Sequence, residues 1–113
     1  MNINSQEMIA AAGSACDLLK ALANQHRLLI VCQLIDGERS VGELAEFLGI
    51  RDTTVSQHLA LLRKDGIVTT RREGQTIWYS ILSQPAREVL QTLYRVYCPA
   101  SQGCEIEQKN AEP

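Results

Sequence analysis

The spacing of the hydrophobic residues changes at the Asp65-Gly66 step. Before that step the apolar residues recur every three or four positions, which is typical of amphipathic helices. After it, residues 67–82 are first β-branched and then alternate between apolar and polar, which predicts a β-hairpin with a turn at Glu73-Gly74. Helical spacing returns at Pro85, a residue suited to the first turn of a helix. The chain is therefore predicted to be mainly α with one hairpin, an α+β fold in the order α-α-α-α-β-β-α.

Local end signals place the helices more closely. Asn24 is a plausible N-cap of the second helix, and Ser40 with Glu43 fits a capping box before the third. The apolar positions of the second helix are Leu28, Val31, Cys32 and Ile35, and those of the first are Met8, Ala12, Ala15, Leu19 and Leu22. The second helix is expected between Asn24 and Asp36-Gly37, and the other helices over residues 5–22, 41–48, about 53–64 and 85–97.

The third and fourth helices are joined by a short segment, residues 48–52, as in a helix-turn-helix, and the hairpin that follows makes it a winged one. A recognition helix needs an apolar stripe for its own domain and polar side chains for the DNA. In the fourth helix the stripe is Val55, Leu59 and Leu62. The candidate DNA-binding residues are Thr53, Thr54, Ser56, Gln57 and His58 at its start, Arg63 and Lys64 at its end, and Arg71 and Arg72 near the hairpin tip.

Charge supports this placement. The 113 residues carry a formal net charge of −2, which excludes a uniformly basic nucleic-acid binder. Residues 51–75, however, hold five basic residues against three acidic ones, and both flanks are net acidic. The length fits one domain, expected over residues 1–98 with a flexible tail over 99–113. No signal peptide or membrane span is recognisable, so a cytoplasmic protein is expected.

Two segments, residues 22–30 and 54–68, make the chain resemble the ArsR/SmtB family of winged-helix transcriptional repressors over about residues 10–98. The resemblance implies a homodimer that pairs through its first and last helices. It also implies a repressor of an inverted-repeat operator, released by a ligand. An enzyme is not expected, because no phosphate loop, triad or acid–base pair is recognisable.

The metal sites familiar in this family are missing from the sequence. The third helix carries no cysteine, and the last helix carries no aspartate or histidine. The remaining histidines are His26, at the start of the second helix, and His58, in the DNA-facing set. No metal and no cofactor is therefore expected.

Two cysteines carry the expected sensing role. Cys32 in the second helix and Cys98 in the ending Tyr97-Cys98-Pro99 resemble the persulfide-sensing branch of the family. That resemblance implies a reduced protein that binds DNA. Low-molecular-weight persulfides or polysulfides then link the two cysteines by a disulfide or polysulfide bridge, and the DNA is released. A purely structural role remains the alternative for Cys32, because cysteine is a common small core residue.

Other functions stay open at this point. Cys98 and Cys104, with Cys16 in addition, could instead bind arsenite or another thiophilic ion. A winged helix can also bind protein rather than DNA, although the basic residues 71 and 72 argue against it. The sequence leaves open whether the protein represses genes itself or counteracts another regulator.

Overall fold

A computed structural model describes residues 4–98 of the chain. These residues form five helices and a two-stranded sheet in the predicted order, which confirms the winged helix-turn-helix arrangement. The tail predicted over 99–113 lies outside the described residues, so the domain boundary stays a prediction. The elements are α1 (Ser5–Leu22), α2 (Gln25–Leu34), α3 (Val41–Leu48), α4 (Asp52–Lys64), β1 (Val68–Glu73), β2 (Thr76–Ile81) and α5 (Gln84–Tyr97).

The predicted helix starts are confirmed by their caps. The side chain of Asn24 accepts a hydrogen bond of 3.1 Å from the backbone N–H of Arg27. The hydroxyl of Ser40 accepts from the N–H of Glu43 at 3.2 Å, and the Glu43 carboxylate accepts from the N–H of Ser40 at 3.0 Å. Each such cap stabilises a helix by about 1 kcal/mol, because it satisfies backbone donors that the helix leaves unpaired.

The chain divides into a unit that ends at Ser83 and one that begins at Gln84. In the first unit, α2 packs against α1, α3, α4 and β2. The core of this unit is made of aliphatic side chains from every helix and from the start of the hairpin. They include Leu22, Ile30, Val31, Leu34, Leu44, Val55, Leu59, Leu62, Ile67 and Val68.

The expected stripe of α2 is wrong in part. Val31 is buried as predicted, but the other fully buried residues are Ile30 and Leu34, whereas Leu28, Cys32 and Ile35 are half-buried. The physical reason is that α2 has neighbours on several sides, so its core-facing side is not a single narrow stripe. Spacing alone identified the helix but not its most buried side.

The base of the hairpin is closed by the backbone of Ile67. Ile67 donates its N–H to the carbonyl of Leu62 at 2.9 Å, at the end of α4. Its own carbonyl accepts from the N–H groups of Leu82, at 2.8 Å, and Ser83, at 3.2 Å. The backbone of Ile67 therefore joins the last turn of α4 to the base of the hairpin.

The turn of the hairpin lies one residue later than expected. Glu73 pairs with Thr76, so the two turn residues are Gly74 and Gln75. Gly74 has φ +63°, a left-handed conformation in which glycine is strongly favoured. A further bridge joins the segment before α3 to the other edge of β2, because Arg39 and Tyr79 exchange backbone hydrogen bonds of 3.1 and 2.9 Å.

The second unit contains α5. Its apolar positions include Ala86 and Leu90, which are buried, and Tyr97, which is 74% exposed. Tyr94 and Val96 are also exposed. None of the helices between Ser5 and Tyr97 is long and apolar enough to cross a membrane.

Candidate DNA-binding surface and cysteine positions

The turn between α3 and α4 depends on Gly49. Its φ of +70° and ψ of 33° are left-handed, and its N–H donates to the carbonyl of Ala45 at 2.8 Å. This closes α3 and redirects the chain within three residues, so that α4 can begin at Asp52. The start is one residue earlier than expected. Arg51 holds the N-cap position without a capping side-chain hydrogen bond.

The two sides of α4 separate as the sequence predicts. Val55, Leu59 and Leu62 are fully buried. The polar residues at the start of the helix lie on the accessible side, where Thr53, Ser56 and Gln57 are exposed and Thr54 is half-buried. Arg63 and Lys64 are exposed in the last turn. The helix therefore presents short polar side chains at one end and positive charge at the other.

His58 lies differently from the other polar residues of α4. It is half-buried, its ring meets that of His26 edge to face with 5.7 Å between centroids, and its Nδ1 is buried without a hydrogen-bond partner. Burial lowers the pKa of His58 below its ordinary 6.5, and the positive charge of Arg27 and then His26 lower it further. His58 thus takes part in the packing of α4 on α2. The spacing of residues 55, 58, 59 and 62 on one helical face already indicates this.

Arg27 joins α1 to α2. Its Nε donates to the carbonyl of Ala21 at 2.7 Å, and its Nη2 donates to the carbonyl of Lys20 at 3.4 Å. These carbonyls belong to the last turn of α1, where a cation is favourable because the helix dipole is negative there. Sequence reasoning gave Arg27 no role of this kind, although the position of a basic residue soon after a helix end is a usable signal.

The two arginines of the wing have different surroundings. Arg71 donates from Nε to both carboxylate oxygens of Glu38, at 2.9 and 2.7 Å, and from Nη1 to Glu73 at 3.3 Å. This pairing lowers the pKa of Glu38 and raises that of Arg71 through the hydrogen bond between them. Arg72 is exposed and makes no ion pair within residues 4–98. Sequence reasoning missed Glu38, because 33 residues separate it from Arg71 and no local pattern joins them.

The three cysteines of the described residues lie far apart in the sequence. Cys16 is exposed on α1, and Cys32 is half-buried on α2. Cys98 follows α5 and is half-buried, and its N–H donates to the carbonyl of Tyr94 at 2.7 Å. Cys104 lies outside the described residues. Within residues 4–98, no group of three or more histidine, cysteine or acidic side chains is placed to hold a metal ion.

Known proteins share this arrangement. Residues 24–70 match the family of bacterial regulatory proteins named arsR. The transcriptional activator HlyU of Vibrio cholerae is 47% identical over 100 residues, which cover 88% of this chain and 93% of HlyU. The chain belongs to the ArsR family. The ArsR relatives also include the biofilm growth-associated repressor of Xylella fastidiosa, 39% identical over 97 residues that cover 86% of this chain and 85% of the repressor.

Solved ArsR structures agree with the fold. The structure of reduced HlyU from Vibrio cholerae N16961 has a TM-score of 0.79 and 47% identity, and the match covers 82% of this chain and 98% of that one. A homodimeric winged helix-turn-helix DNA-binding domain from Mycobacterium bovis has a TM-score of 0.70 and 31% identity, covering 96% and 97%. These ArsR relatives confirm a DNA-binding transcriptional regulator, not an enzyme.

Proposed function

We propose that the protein is a dithiol-controlled repressor, which binds operator DNA as a reduced homodimer. The observation that carries the DNA-binding mode is the division of α4 into a fully buried stripe and an accessible polar side, directly followed by a hairpin. In a winged helix of this kind α4 enters the major groove. The hairpin then lies along the neighbouring backbone or minor groove.

The side chains at the start of α4 supply the sequence readout. Gln57 can bond adenine with both ends of its amide, while Thr53, Thr54 and Ser56 can reach base edges or phosphates. Arg63 and Lys64 contact phosphates and position the helix without reading sequence. On the wing, Arg72 takes the same phosphate-binding role. His58 keeps its packing against His26, so it contributes to DNA binding by holding α4 in position on α2.

The homodimer forms through α1 and α5. Support comes from large apolar side chains that are exposed in the single chain: Met8, Ile9 and Leu19 on α1, and Val96 and Tyr97 on α5. Soluble proteins rarely leave such a set in water without a partner. Two copies related by a two-fold axis bring two α4 helices to half-sites one helical turn apart, which matches an inverted-repeat operator.

Cys32 and Cys98 form the sensing pair. The pattern of Cys32 with Tyr97-Cys98-Pro99 supports this, and neither residue is fully buried. One thiolate attacks the outer sulfur of a persulfide RSSH, which forms a protein persulfide and releases RSH. The second thiol attacks the inner sulfur of that persulfide and expels H₂S, which closes a disulfide.

A longer bridge forms when both thiols are persulfidated. One protein persulfide then displaces H₂S from the other, which leaves a trisulfide with one sulfur atom between the two cysteine sulfurs. In each route the sulfane sulfur of RSSH is the oxidant, and one such sulfur leaves as H₂S; in the longer bridge a second one is retained. DNA is released because the bridged form binds it more weakly, by about 1–3 kcal/mol if the coupling has the usual size.

The test is a DNA-binding titration with reduced, persulfide-treated and arsenite-treated protein. A duplex of about 30 base pairs, selected from a random library by the reduced protein, spans two half-sites one helical turn apart. We expect reduced protein to bind, and glutathione persulfide to weaken binding about 5- to 150-fold. Mass spectrometry is expected to find Cys32 joined to Cys98, either by a disulfide with no added sulfur or by a trisulfide with one added sulfur atom.

Cysteine variants separate sensing from folding. We expect Cys32→Ser and Cys98→Ser to bind the duplex normally but to ignore the persulfide, whereas Cys16→Ser, the matched control at an exposed thiol, responds like the wild type. A full response in either sensing variant would contradict the dithiol assignment. A response to arsenite alone would favour a thiophilic-ion sensor instead.

A further inference from the structure

The two wing arginines lie on opposite faces of the hairpin. Successive residues of a strand point to opposite sides. The register pairs Arg71 with Trp78 and Arg72 with Ile77. Arg72 therefore shares a face with Val68 and Ile77, whereas Arg71 shares the opposite face with Trp78. The two side chains point to opposite sides of the hairpin, so they cannot make equivalent contacts with one DNA backbone.

On the face that it shares with Trp78, Arg71 spans the sheet. Arg71 belongs to β1, whereas Glu38 precedes Arg39, whose backbone pairs with Tyr79 on the far edge of β2. The Nε of Arg71 contacts both oxygens of the Glu38 carboxylate, at 2.9 and 2.7 Å. The side chain thus crosses β2 and joins β1 to the segment that leads into α3.

Geometry makes this contact specific to arginine. The planar guanidinium presents several donors in a fixed orientation, which suits a carboxylate, and a second donor of Arg71 reaches Glu73 at 3.3 Å. A lysine carries the same charge but has a single compact ammonium group, so it cannot bond both carboxylates in this way. Charge and shape can therefore be separated experimentally at this position.

We propose that Glu38 is a positioning residue that holds Arg71 as a tie between the wing and the helix-turn-helix, and that Arg72 supplies the phosphate contact of the wing. This inference rests on the proposed operator binding. With Arg71 engaged by two carboxylates, its charge is already balanced, so it releases no counterion from DNA. Arg72 has no such partner within residues 4–98 and is available to a phosphate.

The salt dependence of binding tests this division. Each phosphate neutralised by a basic side chain adds about 0.9 to the slope of log K against log salt concentration. We expect Arg72→Gln to lower the slope by about 0.9 per wing, and Arg72→Lys to retain it. Arg71→Gln, Arg71→Lys and Glu38→Gln should all leave the slope unchanged. Each should weaken binding about two- to fivefold, the effect usual for one exposed charge pair.

Two further measurements define the tie. The double variant Glu38→Gln/Arg71→Gln should bind no more weakly than either single variant, because both changes remove the same contact. Amide hydrogen exchange at Tyr79, whose N–H bonds to the carbonyl of Arg39, should speed up in Glu38→Gln and Arg71→Lys but not in Arg72→Gln. Unchanged thermal unfolding of each variant shows that the fold is intact.

Opposite outcomes would overturn the inference. If Glu38→Gln binds more tightly with a steeper salt slope, and Arg71→Gln abolishes that gain, then Glu38 competes with DNA for Arg71. If Arg71→Lys binds like the wild type while Arg71→Gln lowers the slope, Arg71 is itself a phosphate contact. A wild-type protein that binds no selected duplex would instead refute the proposed function, which keeps the two failures distinct.

Discussion

Truncation of Leu59 to alanine tests how α4 is anchored. Leu59 is fully buried between Val55 and Leu62 on the inner side of the helix. The change removes three carbon groups, worth about 0.8 kcal/mol each on burial, or about 2.4 kcal/mol in total. The cavity that remains adds to this, so we expect the free energy of unfolding to fall by about 3–4 kcal/mol. That is a large part of the 5–15 kcal/mol typical of a small domain.

Leu61→Ala is the matched control on the same helix. Leu61 lies two residues farther along and is 49% exposed, so the same chemical change removes little buried area. Helix propensity changes equally in the two variants, and we expect Leu61→Ala to cost less than about 0.5 kcal/mol. Urea unfolding followed by circular dichroism measures both, at one protein concentration because dimerisation contributes to stability.

The ratio of the two costs decides the outcome. If Leu61→Ala destabilised the protein as much as Leu59→Ala, the side of α4 that carries Leu61 would be packed against the protein. That result would refute the assignment of this side of α4 as accessible to DNA. At DNA concentrations that saturate the folded protein, Leu59→Ala should retain the sequence preference of the wild type, because no side chain proposed to contact DNA has changed.

Three other predictions concern the same elements. Because the pKa of His58 is lower in the folded state, the unfolded state takes up more protons as the pH falls below about 6.5, and the free energy of unfolding should decrease there. His58→Gln should reduce this decrease, as measured by urea unfolding at about pH 7.5 and about pH 5.5. Gln57→Ala should weaken binding to the selected duplex by about 1–3 kcal/mol with no change in non-specific binding, whereas Lys64→Gln should weaken both, measured by fluorescence anisotropy. Gly49→Ala should cost about 1–2 kcal/mol in chemical unfolding, because φ is +70° and no atom within 4 Å of the added Cβ contributes a clash.

Each of these has an internal comparison. A pH dependence of stability that is identical in His58→Gln and the wild type would refute the role of His58 burial. Equal losses on selected and random duplexes in Gln57→Ala would remove Gln57 from the readout. Gly42→Ala, within α3 and 4.0 Å from the nearest contacting atom, should stabilise the helix, so a loss there as large as that at Gly49 would contradict the conformational argument.

Local signals in the sequence predicted the fold well. The caps at Asn24 and Ser40 and the stripe of α4 depend on residues within one or two helical turns, so spacing and residue type suffice. The most buried side of α2 was not predictable in this way, because it depends on several neighbouring elements.

The residue types of the candidate site were predictable from the sequence, but the partners of the two wing arginines were not. The polar side of α4 follows from its sequence, but the separation of Arg71 from Arg72 required the register of the hairpin and the position of Glu38. By chemical type alone, His58 belongs with the DNA-facing residues of α4. Its spacing from Val55 and Leu62 indicates the packed position that the structure has.

The backbone hydrogen bonds of Ile67 to both α4 and the hairpin affect how the protein can dissociate from DNA. The N–H of Ile67 bonds to the last turn of α4 and its carbonyl to the base of the hairpin, so we expect the reading helix and the wing to move as one unit. A displacement of that unit moves α4 and the wing together, so neither can remain bound to the duplex while the other dissociates. Release is then a concerted event within each half-site, and a titration with inducer should show no form in which a half-site is held by the wing alone.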